Sequence, residues 1–221
     1  MNKYIFSNFK NSKEYKLELL NKLKNLSNIE VGGNRLYDGY KNHLTQNPLE
    51  LTELIFFLKN HQKKNNLNLS KYLEIGFYSG FTNTILNKFF KFEDIVVIDN
   101  LSEEIDANNF LANLKFKNIT LIVGSSQDRK TINKASKFLK YDLFYIDGNH
   151  SYNSVKKDFY NYYDLIRTKG VILIHDIINK DWPGVKKFFG ELKKNKKFTC
   201  KEIIQKGNKI NYGIGIVIKN D

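Results

Sequence analysis

Apolar positions along this chain fall into two rhythms. Near the start, Leu19, Leu20, Leu23 and Leu26 recur at helical spacing within residues 13–26 and predict one amphipathic helix. The glycine-containing segment from Val31 to Gly39 breaks that helix. Pro48 then opens a second one over residues 49–60, at a position where proline's missing N–H costs nothing. From Tyr72 onward, short apolar runs alternate with helical patterns: 72–75, 95–98 (Ile-Val-Val-Ile), 119–123 (Ile-Thr-Leu-Ile-Val), 143–146 (Leu-Phe-Tyr-Ile) and 171–174 (Val-Ile-Leu-Ile). Within a run the residues do not alternate apolar with polar, so each strand is expected to be covered on both faces, as in a parallel sheet between helical layers. The last stretch differs, because residues 198–204 and 212–218 read as two strands joined by a Lys-Gly-Asn-Lys turn. The expected architecture is α/β and Rossmann-like: a mostly parallel seven-stranded sheet with a C-terminal antiparallel hairpin. Residues 1–45 are expected to form a helical lid segment and residues 70–221 the core.

Composition narrows the class. No repeat, linker or low-complexity tract divides the 221 residues, a length that buries a core as a single domain. No apolar run approaches the ~20 residues needed to span a bilayer, and the N-terminus lacks the apolar stretch and cleavage site of a signal peptide. Cys200 is the only cysteine, which leaves neither a disulfide framework nor a cysteine zinc site within one chain. The expected compartment is therefore the cytoplasm, with no membrane partner. A net charge of +13 raises the question of a nucleic-acid partner. Against it, arginine occurs only at 35, 129 and 167, and arginine is the residue suited to bidentate phosphate and base contacts. Lysine accompanied by many Asn and Ile is what an AT-rich genome supplies. The lysine clusters at 63–64, 156–157 and 193–197 are scattered and read as solvated helix ends.

In open α/β sheets ligands bind beyond the carboxyl ends of the strands, so the residues ending each run belong together. The first run ends in Glu74-Ile75-Gly76-Phe77-Tyr78-Ser79-Gly80, an acid followed by a two-glycine turn. Tyr78 and Phe81 stand where the dinucleotide fingerprint requires glycine, which disfavours a nicotinamide oxidoreductase. Asp99 ends the second run, where a carboxylate can accept both ribose hydroxyls of a nucleoside cofactor. The third ends in Gly124-Ser125-Ser126-Gln127-Asp128, polar groups suited to an adenine edge. Asp147-Gly148-Asn149-His150 and His175-Asp176 end the fourth and fifth. Any one acid of this kind can be a helix cap or turn residue. Four strand ends with acids, and histidines beside the last two, point to a functional site.

These blocks, in this order, resemble the motifs of class I S-adenosylmethionine-dependent methyltransferases. The Gly-x-Tyr-x-Gly-aromatic-Thr turn is similar to the catechol O-methyltransferase branch. The Ile146-Asp147-Gly148-Asn149-His150-Ser151-Tyr152 block resembles the bacterial O-methyltransferase group that includes macrolide-sugar methyltransferases and cephalosporin-hydroxylase-like proteins, and Gln46-Asn47-Pro48-Leu49-Glu50 fits the same group. The resemblance implies a methyltransferase fold and S-adenosylmethionine bound by Glu74, Gly76, Gly80, Asp99, Ser126 and Gln127. It also implies a divalent metal, Mg²⁺ or Mn²⁺, on Asp147 and Asp176, and His150 as general base beside Asp147. His175 stands where relatives carry a further carboxylate or amide. Histidine is a poor magnesium ligand and suits manganese, iron or zinc. Three alternatives follow: water fills the third position, His175 points elsewhere, or the metal is not magnesium. The implied activity is methyl transfer to a hydroxyl of a small molecule, a sugar among the candidates. The rivals are a metal-free methyltransferase using His150 alone and a nucleic-acid-binding protein with a methyltransferase-like fold. Assembly into a homo-oligomer is left open.

Overall fold

The computed structural model describes residues 12–24, 46–78, 80–102, 114, 118–205 and 212–220. Leu26, the expected break at 31–39 and the expected Lys-Gly-Asn-Lys turn lie outside them. The helices are α1 (Ser12–Lys24), α2 (Pro48–Asn65), α3 (Phe81–Phe90), α4 (Arg129–Ala135), α5 (Tyr152–Tyr163) and α6 (Pro183–Lys194). The strands are β1 (Lys71–Ile75), β2 (Asp94–Asp99), β3 (Ile119–Val123), β4 (Tyr141–Ile146), β5 (Ile166–His175), β6 (Thr199–Ile203) and β7 (Ile214–Ile218).

All seven strands join one sheet in the order β3-β2-β1-β4-β5-β7-β6. The first five run parallel, whereas β7 is antiparallel to both β5 and β6. Side-chain alternation sends Tyr72, Leu143, Tyr145 and Leu173 to the face covered by α1–α3. Leu73, Phe144, Ile172 and Ile174 go to the face covered by α5 and α6. Leu73, Phe144 and Ile172 are fully buried, and each side chain of this size removed from water contributes about 1.5–3 kcal/mol. Burial on both faces is why the runs showed no polar alternation.

Strand β5 begins at Ile166 rather than 171. Its pairing with β4 jumps from Tyr141↔Ile166 to Leu143↔Val171, across a bulge containing Lys169 in the left-handed region. An apolar-run reading stops at the polar bulge; the backbone hydrogen bonds do not. Helix α2 starts where Asn47 Oδ1 accepts the Leu49 N–H, with Pro48 in the first turn. Helix α1, the described part of the expected lid, packs along α2 through Tyr15 against Phe56 and Lys16 against Glu53. Among the described residues no helix is long and apolar enough to cross a membrane.

The chain runs outward from β1 to β2 and β3, then crosses back to β4 and β5 on the other side. The order reverses between β1 and β4, and in open α/β sheets ligands bind beyond the carboxyl ends of the strands at such a point.

Candidate active site

The turn after β1 is held against the end of β4. Gly76 has φ +87°, and a Cβ there would lie 2.0 Å from the Asp147 carbonyl oxygen. Glycine is required so that β1's turn can lie on β4's, which sets the two loops side by side. Asp99 then organises the turn from β2: its Oδ2 accepts the Phe77 and Tyr78 N–H groups at 2.8 and 2.9 Å. Its Oδ1 accepts the Leu101 N–H at 2.7 Å. Among the described residues these donors engage three of the roughly four lone-pair positions of the carboxylate. Gly80, at φ +78°, caps α3 with no side-chain bond. Glu74 lies beneath the turn, 1% exposed, its Oε2 without a hydrogen-bond partner among the described residues. Burial drives its pKa well above the usual carboxylate range, against opposition from the neighbouring Asn83 and Tyr72.

The loop after β3 is turned toward α5. Ser126 Oγ donates to Asp158 Oδ1 at 2.7 Å, and the Tyr162 hydroxyl donates to the Ser126 carbonyl at 2.8 Å. The Gln127 N–H donates to Ser125 Oγ. From its position in the helix, Asp158 reads as a surface residue; it is instead 1% exposed. Long-range packing on the β3 loop, invisible to helical periodicity, buries it and pushes its carboxyl up to about 6.

Asp147, His150, His175 and Asp176 meet at the ends of β4 and β5. His175 Nδ1 lies 3.2 Å from Asp147 Oδ1 and 3.1 Å from Asp176 Oδ2. His150 Nε2 lies 3.0 Å from Asp176 Oδ2 and 3.5 Å from Asp147 Oδ1, close enough for charge attraction although its N–H is aligned with neither. Asp176 adopts φ +63°, a left-handed conformation that aspartate tolerates, and Asn179 Nδ2 donates to its Oδ1 at 2.6 Å. Burial opposes charge on His150, yet the two carboxylates outweigh it and raise its pKa to about 9. His175 is raised well above its ordinary value by the same balance. Burial likewise opposes charge on Asp147 and Asp176, but the imidazoles hold both below the usual carboxylate range. One atom each from Asp147, His175 and Asp176 lie within 4.8 Å of one another, a set able to hold a cation. The His175 ring thus faces the two carboxylates.

Residues outside the strand-end set also reach the site. Gln46 Nε2 donates to Asp147 Oδ2 at 3.3 Å and to the Tyr145 hydroxyl at 3.4 Å. Glu50, one turn further on, is fully buried and accepts the Gly213 N–H at 3.0 Å. Burial raises its pKa, against attraction from His175. Gln46 precedes the helix cap Asn47, so helical periodicity carried no signal for it. Trp182 stacks on His150 with centroids 4.5 Å apart and planes 17° apart. A Cβ at Gly184 would lie 2.4 Å from the Tyr152 nitrogen, so only glycine lets the start of α6 come this close to the His150 turn.

A protein-family model described as "Methyltransferase domain" matches residues 73–177. No curated protein sequence matches the chain. Among solved structures, a candidate caffeoyl-CoA O-methyltransferase from Staphylococcus aureus is 17% identical with a TM-score of 0.60, over 94% of this chain and 99% of that one. The O-methyltransferase TomG from Streptomyces achromogenes is 15% identical with a TM-score of 0.59, over 92% and 90%. MycE, from the mycinamycin biosynthetic pathway, is 16% identical with a TM-score of 0.52, over 74% of this chain and 48% of its own. At such identities the likeness establishes the fold. That fold is Rossmann-like and shared with methyltransferases, and the methyltransferase-domain match runs within it from β1 to just past the end of β5.

Proposed function

We propose that the chain transfers a methyl group from S-adenosylmethionine to a hydroxyl of a small molecule, such as a sugar, with help from a divalent cation. The observation that carries this reading is the meeting of Asp147, His150, His175 and Asp176 beside the Gly76 turn. Methyl transfer from a sulfonium is an in-line displacement; it needs the acceptor oxygen held near the methyl carbon and partly deprotonated. TomG was solved with S-adenosylmethionine, and MycE with Mg, S-adenosylhomocysteine and mycinamycin VI, which supports extending both ligands to this chain.

The residues present fit such ligands. Asp99 keeps one acceptor position for a ribose hydroxyl, and the 124–128 turn presents polar groups for the base. Asp147 and Asp176 together balance a divalent charge, with the His175 ring nitrogen as third donor. Two oxygens and a nitrogen favour Mn²⁺ over Mg²⁺ relative to an all-oxygen set. When bound, such an ion lowers the pKa of the acceptor hydroxyl. That charge would also offset the two carboxylates that raise His150 to about 9, so that the neutral ring, fixed by Trp182, would accept the acceptor's proton as general base.

A second reading dispenses with the metal: Asp147 and Asp176 orient His150, which alone activates the acceptor in its neutral form, so that turnover rises toward the ring's pKa of about 9. The 3.0 Å approach of His150 Nε2 to Asp176 favours it. Chelation separates the two. Excess chelator is expected to abolish turnover while S-adenosylhomocysteine binding persists, with Mn²⁺ restoring activity at least as well as Mg²⁺. Full activity in chelator, with His150→Ala inactive, rejects the metal reading in favour of the second.

A further inference from the structure

Asp158 and Tyr162 lie one turn apart on α5, and both reach Ser126. One takes its side-chain hydroxyl at 2.7 Å and the other donates to its main-chain carbonyl at 2.8 Å. We infer that these two are positioning residues, holding the loop between β3 and α4 in the shape that receives the base of the nucleoside cofactor. The inference rests on the proposed reading in which this loop faces that base.

Three observations carry it. First, the loop's own described bonds, Gly124 N–H to the Asp99 carbonyl at 2.9 Å, Asp128 N–H to the Ser125 carbonyl at 3.1 Å and Gln127 N–H to Ser125 Oγ at 3.3 Å, do not hold Ser126 itself. Ser126 between them is gripped from α5 on both its side chain and its main chain. Second, Asp158 is a buried acid whose described hydrogen bond goes to this loop. Burying a carboxylate is costly, and a solvated or apolar residue would serve a helix that merely packs. Third, α5 is a firm post: Tyr162 is fully buried with its ring 5.6 Å from Phe144 of β4, and Phe159 is equally buried. Because α5 starts two residues after His150, the loop for the base and the turn bearing the proton acceptor share one rigid frame. Ser126, with its hydroxyl committed to Asp158, leaves ligand contact to Gln127 and the loop's main chain.

The test uses the intact protein, with S-adenosylhomocysteine titrated calorimetrically into wild type, Asp158→Ala, Asp158→Asn and Tyr162→Phe. Thermal melts confirm that each variant is folded. Asp158→Ala and Tyr162→Phe are each expected to weaken binding about tenfold, the loss of one buried hydrogen bond, whereas Asp158→Asn, which keeps an acceptor for Ser126, stays within about threefold. The preference of wild type for 5′-methylthioadenosine over 5′-methylthioinosine should shrink in Asp158→Ala and Tyr162→Phe, a change that general destabilisation does not produce. Unchanged affinity and base preference in folded Tyr162→Phe and Asp158→Ala overturn the clamp and leave the cofactor reading standing. Wild type that binds no S-adenosylhomocysteine overturns the cofactor reading itself, and this inference with it. Tyr162→Phe keeps the ring and its packing, so the test survives if Asp158→Ala does not fold.

Discussion

Replacing Asp158 by Asn is expected to stabilise the protein at neutral pH and to do little near pH 4. Burial lifts this carboxyl from its ordinary value of 3.8 to about 6, the Ser126 hydroxyl offsetting only part of the shift. A carboxyl with a raised pKa binds its proton more tightly folded than unfolded. Below pH 4 both states are protonated and no penalty exists. As pH rises from about 4 to 6 the unfolded chain ionises first, so stability falls; above about 6 the full penalty is present. A shift of about two units at 1.36 kcal/mol each sets that penalty at about 3 kcal/mol. Asparagine keeps the shape and an acceptor for Ser126 while removing the charge. Urea denaturation of both proteins from pH 4 to 7.5 yields a difference curve in which the other titrating groups cancel. The curve should rise toward about 3 kcal/mol in favour of the variant by pH 7. A flat difference, or one that grows toward low pH, would falsify the claim that Asp158 is held as a weak acid by burial.

Three further outcomes are expected. Gly76→Ala should destabilise by about 3 kcal/mol or more in urea titrations, since a Cβ 2.0 Å from the Asp147 carbonyl adds a clash to a left-handed backbone; a loss under about 1 kcal/mol would mean the two turns separate easily. Asp99→Ala should weaken S-adenosylhomocysteine binding by about 1.5–3 kcal/mol or more, because the carboxylate both orders the 77–78 turn and offers its remaining lone pair; unchanged calorimetric affinity would remove Asp99 from the site. Binding to DNA or RNA, measured by filter retention, should be sequence-independent and largely lost by ~0.2 M salt; selective nanomolar binding surviving that salt would assign the +13 charge to a polyanion partner.

The sequence by itself determined the layered α/β architecture, because each strand's apolar run and each helix's period record local burial, and the local turn chemistry of Gly, Pro and Asn marks the ends. It also placed Asp99, Asp147, His150, His175 and Asp176 at strand ends, where a parallel sheet gathers ligand-binding groups on one edge. Which partner each side chain finds was decided only in three dimensions. Gln46 reaches Asp147 across 101 residues, and Ser126 reaches Asp158 across 32; no local pattern encodes either meeting. Gly76 was readable as a glycine that permits close approach, but its Cβ space is filled by the backbone of β4's turn. Asp99 was readable as a ribose acceptor, yet three of its lone-pair positions hold its own chain. Residue type states what a group can donate or accept. The tertiary structure decides which of those capacities are satisfied internally and which remain for a ligand, because buried polar groups take the nearest partner that packing brings.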